Sequence, residues 1–261
     1  MDLGLKGKVI LVTGGSKGIG LACARAFLKE EGRVAIVSRS RANLESALHE
    51  LASAGDDLIA LACDLSLRSA AKVMVAEVEQ RLGPVDILIN SAGAAKRYSV
   101  EELNEEVWHA AMDAKYFPYI HAMDAVLPGM AKRGRGAVVN VIGMGGKVAG
   151  PIHLPGGAAN SALMLATVGL ANVYGPRGIR VNGINPGTTM TTRVQEGLSL
   201  EARIRGLTEQ EVFSSGQARV PLRRYAAPEE IATLALFLAS DKASYITGAI
   251  VPMDGGLNPV V

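Results

Sequence analysis

At 261 residues the chain can bury a substantial core, as one large domain or two small ones. Its 49% hydrophobic and 20% charged content is that of a globular protein, and a net charge of +2 with Lys and Arg spread along the sequence argues against a nucleic-acid partner. The apolar runs are interrupted by Gly, Asn or charge, and no basic-then-apolar leader precedes the first strand, so neither a membrane span nor a secretory signal is expected. Cys23 and Cys63 are expected to be unpaired thiols, which points to a reducing cytoplasm. No metal site is expected.

The pattern alternates strand and helix. A β-branched run at 8–13 ends in glycines, and 18–30 shows helical spacing of apolar residues. Strand-like runs follow at 33–38, 57–62 and 85–90, separated by helical patterns over 41–54 and 66–82. Two long helical stretches, 104–131 and 157–174, flank a strand at 136–141, and another strand is expected at 178–184. Segment 191–219 has weak periodicity, glycine breaks and mixed charge, and is expected to be a mobile flap over a ligand crevice. Pro228, followed by Glu229 and Glu230, suits the start of a late helix, and a last strand falls near 248–252. Near-continuous apolar strands alternating with helices predict an α/β fold: a single doubly wound parallel sheet with helices on both faces, spanning 1–261 as one domain.

The first strand runs into Thr13-Gly14-Gly15-Ser16-Lys17-Gly18-Ile19-Gly20. Glycines here permit a tight turn and a close backbone approach, and the helix that follows aims free amides at a pyrophosphate. The site is therefore read as a Rossmann-type dinucleotide site, with Gly14, Ser16, Lys17, Gly18, Ile19 and Gly20 as cofactor contacts. After the second strand no acid is present to receive a ribose 2′-hydroxyl; the residues are Ser38, Arg39, Ser40 and Arg41. Cations at 17 and 39 suit a 2′-phosphate, which selects NADP(H) over NAD(H).

Further motifs extend the pattern: Asp64-Leu65, Asn90-Ser91-Ala92-Gly93, the stretch Arg180 to Gly187, Thr191, Thr247-Gly248 and Asp254-Gly255-Gly256. With the glycine loop, these make the chain resemble the short-chain dehydrogenase/reductase family over nearly its whole length. The resemblance implies that Asp64 and Leu65 lie at the adenine. It also brings Asn90, Ala92, Gly93, Pro186, Gly187, Thr189 and Thr191 to the cofactor. It further implies a homotetramer or homodimer, for which the apolar, small-residue helix 157–171 is suited.

The same resemblance exposes a break. The family uses a tyrosine as proton carrier, a lysine four residues later that lowers its pKa, a serine that steadies the carbonyl, and an earlier asparagine that supports a proton relay. Counting from the neighbouring motifs puts these four roles on Gly156, Asn160, Gly143 and Lys115. Tyr174 and Tyr116 are poorly placed to substitute, and Tyr98 could face the crevice.

Lys96, Arg97, Lys115, Lys147 and His153 fall on segments that should border the crevice, with no carboxylate among them. Such a set suits an anionic substrate or intermediate. His153, between Pro151 and Pro155, is the available proton carrier near neutral pH. The catalytic candidates are thus His153, Lys115 and Asn160. The leading expectation is an NADP(H)-dependent oxidoreductase acting on a carbonyl or hydroxyl compound. The alternatives are a non-redox enzyme on the same fold (C–C cleavage, decarboxylation, hydration or hydrolysis) and a catalytically silent nucleotide-binding protein.

Overall fold

The computed structural model describes residues 2–93 and 96–259. Seven parallel strands lie among them: β1 (Val9–Thr13), β2 (Arg33–Ser38), β3 (Leu58–Ala62), β4 (Ile87–Asn90), β5 (Gly136–Val141), β6 (Ile179–Pro186) and β7 (Ile250–Met253). Their spatial order is β3-β2-β1-β4-β5-β6-β7. The chain reverses its winding direction between β1 and β4, which opens a crevice at the carboxyl ends of those strands.

Alternate residues of each strand feed two cores. Leu11 and Val37 join Met74, Val78, Met123 and Leu127 from α3 (Arg68–Leu82) and α5 (Phe117–Arg133) on one face, where α6 (Leu154–Tyr174) contributes Leu163. Ile10 and Ile36 join Phe27, Leu44 and Leu238 from α1 (Gly18–Lys29), α2 (Arg41–Glu50) and α9 (Pro228–Ala239) on the other. The sheet buried on both faces is the expected doubly wound fold.

Three segments differ from the sequence expectation. The stretch 104–131 is not one regular helix: α4 (Glu105–Ala111) passes through a π-helical turn, Met112–Tyr116, into α5. Pro118 has no N–H to offer the Ala114 carbonyl one turn back, and the Gly93 backbone packs against that carbonyl instead. Helix α6 begins three residues earlier than expected, at Leu154, with Pro155 in its first turn, so 154–163 is helical throughout. The segment 191–219, whose weak periodicity marks no element, holds two helices, α7 (Thr192–Arg205) and α8 (Glu209–Arg219); α8 starts with a Thr208/Glu211 capping box. By length and composition the helical run Leu154–Arg177 could cross a bilayer. Its buried face, with Leu163 and Thr167, packs on the sheet as the core helix of the domain.

Polar residues tie the crevice together from beneath. Strand register sets Thr13 beside Asn90 and Asn90 beside Asn140. Thr13 Oγ1 donates to Asn90 Oδ1 (3.1 Å), Asn90 Nδ2 to Asn140 Oδ1 (3.0 Å), and Asn140 Nδ2 to Thr167 Oγ1 (2.9 Å). Thr167 passes its own hydrogen to the Leu163 carbonyl (2.7 Å). All four side chains are fully buried, and each bond polarises the next.

The β5–α6 loop is shaped by glycine. Gly143 has φ +132, a conformation that residues with side chains rarely adopt. A Cβ there would lie 3.1 Å from Asn160 Nδ2.

Two outcomes follow. Asn90→Leu leaves the Thr13 hydroxyl hydrogen and Asn140 Oδ1 without partners in the core and is expected to cost about 2–4 kcal/mol in urea unfolding; a change below about 0.5 kcal/mol would contradict this. Gly143→Ser is expected to cost about 1–3 kcal/mol, and adding Asn160→Ala to it should recover only part, because the backbone strain remains. Full recovery in the double variant would show that crowding alone is responsible.

Candidate active site

The glycine turn comes first. Thr13, at the end of β1, uses its hydroxyl twice more, accepting from the backbone N–H groups of Ser91 (3.2 Å) and Ala92 (3.3 Å). This fixes the loop after β4 against the turn after β1. Gly20 lets α1 close onto that turn, since a Cβ there would collide with the Gly14 carbonyl.

A cavity of about 430 Å³ runs along the crevice. Gly14, Ser16, Lys17, Gly18, Ile19, Ser38, Arg39, Asp64, Leu65, Ala92, Gly93 and Thr191 all line it. Gly20, Asn90, Pro186, Gly187 and Thr189 do not. Gly20 and Asn90 are buried beneath the cavity, and Thr189 Oγ1 donates to the Gly187 carbonyl (3.2 Å). Asn43, Ser66, Asp113, Ala114 and Pro118 also line it, beyond those the sequence motifs mark. Asp113, Ala114 and Pro118 reach it because of the π-helical turn, for which the position of Pro118 is the available sequence signal.

At the far end of β2, Ser38 accepts a weak bond from the Ser40 amide (3.4 Å), and Ser40 caps α2 by accepting from Asn43 N (3.2 Å). Asp64 accepts from the backbone N–H and the hydroxyl of Ser66 (3.0 and 2.8 Å). The backbone N–H of Ser66 is the main reason its carboxyl lies below the usual range; the Ser66 hydroxyl and the Arg39 charge act the same way.

The other catalytic candidates gather at the end of β5, outside that cavity. Lys115, 8% exposed, sits in the π-helical turn. Its Nζ donates to Tyr119 Oη (2.8 Å) and to the Val141 carbonyl (3.1 Å), and lies over the Tyr119 ring. Tyr119 also donates to the Val141 carbonyl. The Lys115-x-x-x-Tyr119 spacing is visible in the sequence as an i, i+4 helical pair, and it is the one signal that could have marked Tyr119. Tyr116 instead packs edge-on to Phe117, and Tyr174 lies at the end of α6 against Arg177. Lys96 and Lys147 are exposed loop residues.

His153 caps α6, with its ring over Gly145: a Cβ on Gly145 would lie 3.1 Å from His153 Cδ2 and 3.6 Å from Asn160 Nδ2. His153 and Asn160 therefore converge on the same glycine loop, next to buried Gly156 in the first turn of α6. His153 Nδ1 and Asn160 Oδ1 are buried without a hydrogen-bond partner among the described residues. Burial pushes the His153 pKa below its ordinary 6.5, and the charges of Arg97 and Lys115 push the same way. The imidazole is thus neutral at pH 7.

Comparison with known proteins agrees with the fold. A family model described as enoyl-(acyl carrier protein) reductase matches residues 14–258. The 2-(S)-hydroxypropyl-CoM dehydrogenase 3 of Xanthobacter autotrophicus is 32% identical over 256 residues, covering 98% of each chain. A single-residue variant of actinorhodin polyketide ketoreductase, solved with NADPH, superposes with a TM-score of 0.93 at 31% identity, over 97% of this chain and 98% of its own. NAD⁺-bound xylitol dehydrogenase gives 0.92 at 28% identity, over 97% and 99%. This chain belongs to the short-chain dehydrogenase/reductase family.

Proposed function

We propose that the protein is an NADP(H)-dependent oxidoreductase acting on a small hydroxyl or carbonyl compound. In this reading His153 and Lys115 do the work that a tyrosine–lysine pair does in the family. The observation that carries it is the pairing of an unpartnered, neutral His153 with a buried cation, Lys115, at the carboxyl end of β5.

The residues present fit a nicotinamide dinucleotide. The glycine turn and the N-terminus of α1 offer amides to a pyrophosphate. Ser38 and Arg39, at the capped N-terminus of α2, suit a 2′-phosphate through charge-assisted hydrogen bonds. Asn160 Oδ1, a buried acceptor without a donor, suits a ribose hydroxyl. When bound, the nicotinamide would accept or supply a hydride.

The chain's own groups handle the proton. In alcohol oxidation the substrate C–H leaves as hydride, the O–H proton goes to His153 Nδ1, and the carbon–oxygen bond becomes a carbonyl. The Lys115 charge lowers the cost of negative charge on the oxygen as that proton leaves. Reduction needs the reverse, a protonated His153, which a lowered pKa disfavours at pH 7. The arrangement therefore favours oxidation at neutral pH and reduction in acid. Positive charge from Lys115 and Arg97 also favours a substrate that is itself anionic.

The rebuilt loop at Gly143 and Asn160 supports a second reading, a non-redox conversion of a carbonyl compound in the same crevice. Substrate loss with no change in nicotinamide absorbance would single it out. The exposed Leu165, Val168 and Val173 on the outer face of α6 support a homo-oligomer. Unpaired Cys23 and Cys63 support a cytoplasmic location.

For the cofactor, NADPH is expected to bind more tightly than NADH in fluorescence titration. Arg39→Ser should cost about 10–100-fold in NADPH affinity and leave NADH unchanged; equal affinity for the two cofactors in the natural protein would contradict the 2′-phosphate assignment. For the proton carrier, kcat/KM for oxidation should fall as pH drops below 6.5, since protonation removes the base. His153→Gln should lose that acid limb together with about 100-fold or more of the rate. An unchanged pH profile in the variant would rule His153 out.

A further inference from the structure

One backbone bond joins the loop after β4 to the loop before α6. The Tyr98 N–H donates to the Ile152 carbonyl (3.0 Å), which brings the backbone at Arg97 near that at His153, and the Arg97 charge is felt at the His153 ring. Arg97 also reaches α7. A Cβ on Gly197 would lie 2.7 Å from Arg97 Cζ and 3.0 Å from Nη2, so the guanidinium occupies the notch that this glycine leaves. Any side chain at 197 would displace it. Arg97 itself is exposed, and no hydrogen bond or ion pair engages it among the described residues. A guanidinium is permanently charged, with five donors in a planar fork. Here that fork is lodged by α7 and left with its donors unspent beside the proposed proton carrier.

We propose that Arg97, seated on Gly197 of α7, binds the carboxylate of a short hydroxy- or oxo-acid substrate, and that engaging this carboxylate ties α7 to the site. The inference rests on the reading of the crevice as the substrate end of an oxidoreductase. A carboxylate fits better than a phosphate. The planar fork matches two coplanar oxygens, whereas a phosphate draws on several free helix amides, and at the start of α6 two of the first four positions supply none. Pro155 has no N–H, and that of Gly157 is bonded to the His153 carbonyl (2.8 Å). Because Arg97 and His153 flank the same backbone bond, the acid should be short, with its hydroxyl or carbonyl within a few bonds of the carboxylate.

The test reads binding rather than turnover. Lactate, 3-hydroxybutyrate and malonate, each beside its amide, and inorganic phosphate are titrated calorimetrically into the full chain with NADPH present. NADPH affinity is measured separately by fluorescence. At least one carboxylate is expected to bind while its amide does not. Arg97→Gln and Gly197→Val should each weaken that binding by about 10–100-fold with NADPH affinity unchanged. If Gly197→Val does not fold, Arg97→Gln decides alone, since its side chain is exposed. Equal binding of acid and amide, binding of none, tighter binding of phosphate, or an unaffected Arg97→Gln variant would overturn the proposal. Failure of the oxidoreductase reading looks different: NADPH does not bind, or a bound hydroxy acid is never oxidised by NADP⁺. The carboxylate titration, repeated without cofactor if needed, still reads Arg97 in that case.

Discussion

A chain of buried hydrogen bonds, Thr13 to Asn90 to Asn140 to Thr167, holds the working end of this molecule in place. It runs across three parallel strands and into the helix that carries 156 and 160. It exists only in the strand register observed, because a slip of one residue would turn these polar groups into the opposite core. Buried polar groups left unpaired are costly, so the network does more than add stability. It selects the one arrangement in which the glycine turn after β1, the loop after β4 and the start of α6 all meet around the crevice.

Over that base the residues around the end of β5 form one connected group. Gly143 adopts a backbone conformation that a serine would rarely take, and the room it leaves is filled by the Asn160 amide. That amide also approaches Gly145, over which the His153 ring lies. Lys115 is drawn by Tyr119 and the Val141 carbonyl into the end of β5, and its charge bears on His153. These positions are therefore coupled through contacts and charge. A serine at 143 alone would meet both strain and a blocked space, so a change at one of these positions bears on the others.

Much of this is legible in the sequence. Strands such as 33–38 and 136–141 carry continuous apolar runs, and the structure returns the same bounds; a sheet buried on both faces writes itself plainly. The glycine turn is equally clear, because its residue types follow from backbone geometry. What stays hidden depends on contacts between distant segments. Nothing local to Lys115 announces the Val141 carbonyl, and nothing local to Gly197 announces Arg97. Elsewhere the signals are present but local and small: Pro155 as the first turn of α6, Pro118 as the cause of the π-helical turn, and Thr208 with Glu211 as the start of α8. The weak periodicity of 191–219 hides its two helices for a physical reason. Short, largely exposed helices need only a narrow apolar stripe, and their caps carry more of the information than their faces.

Everything proposed for the site turns on whether the protein transfers hydride. The direct experiment follows a deuterium atom from the transferable position of labelled NADPH into a panel of short oxo acids, with the products read by mass spectrometry. Protein-dependent transfer of the label into at least one hydroxy-acid product is expected, faster in mild acid than at neutral pH and abolished in His153→Gln. Retention of the label on the cofactor across the whole panel, with NADPH shown to be bound, would contradict it.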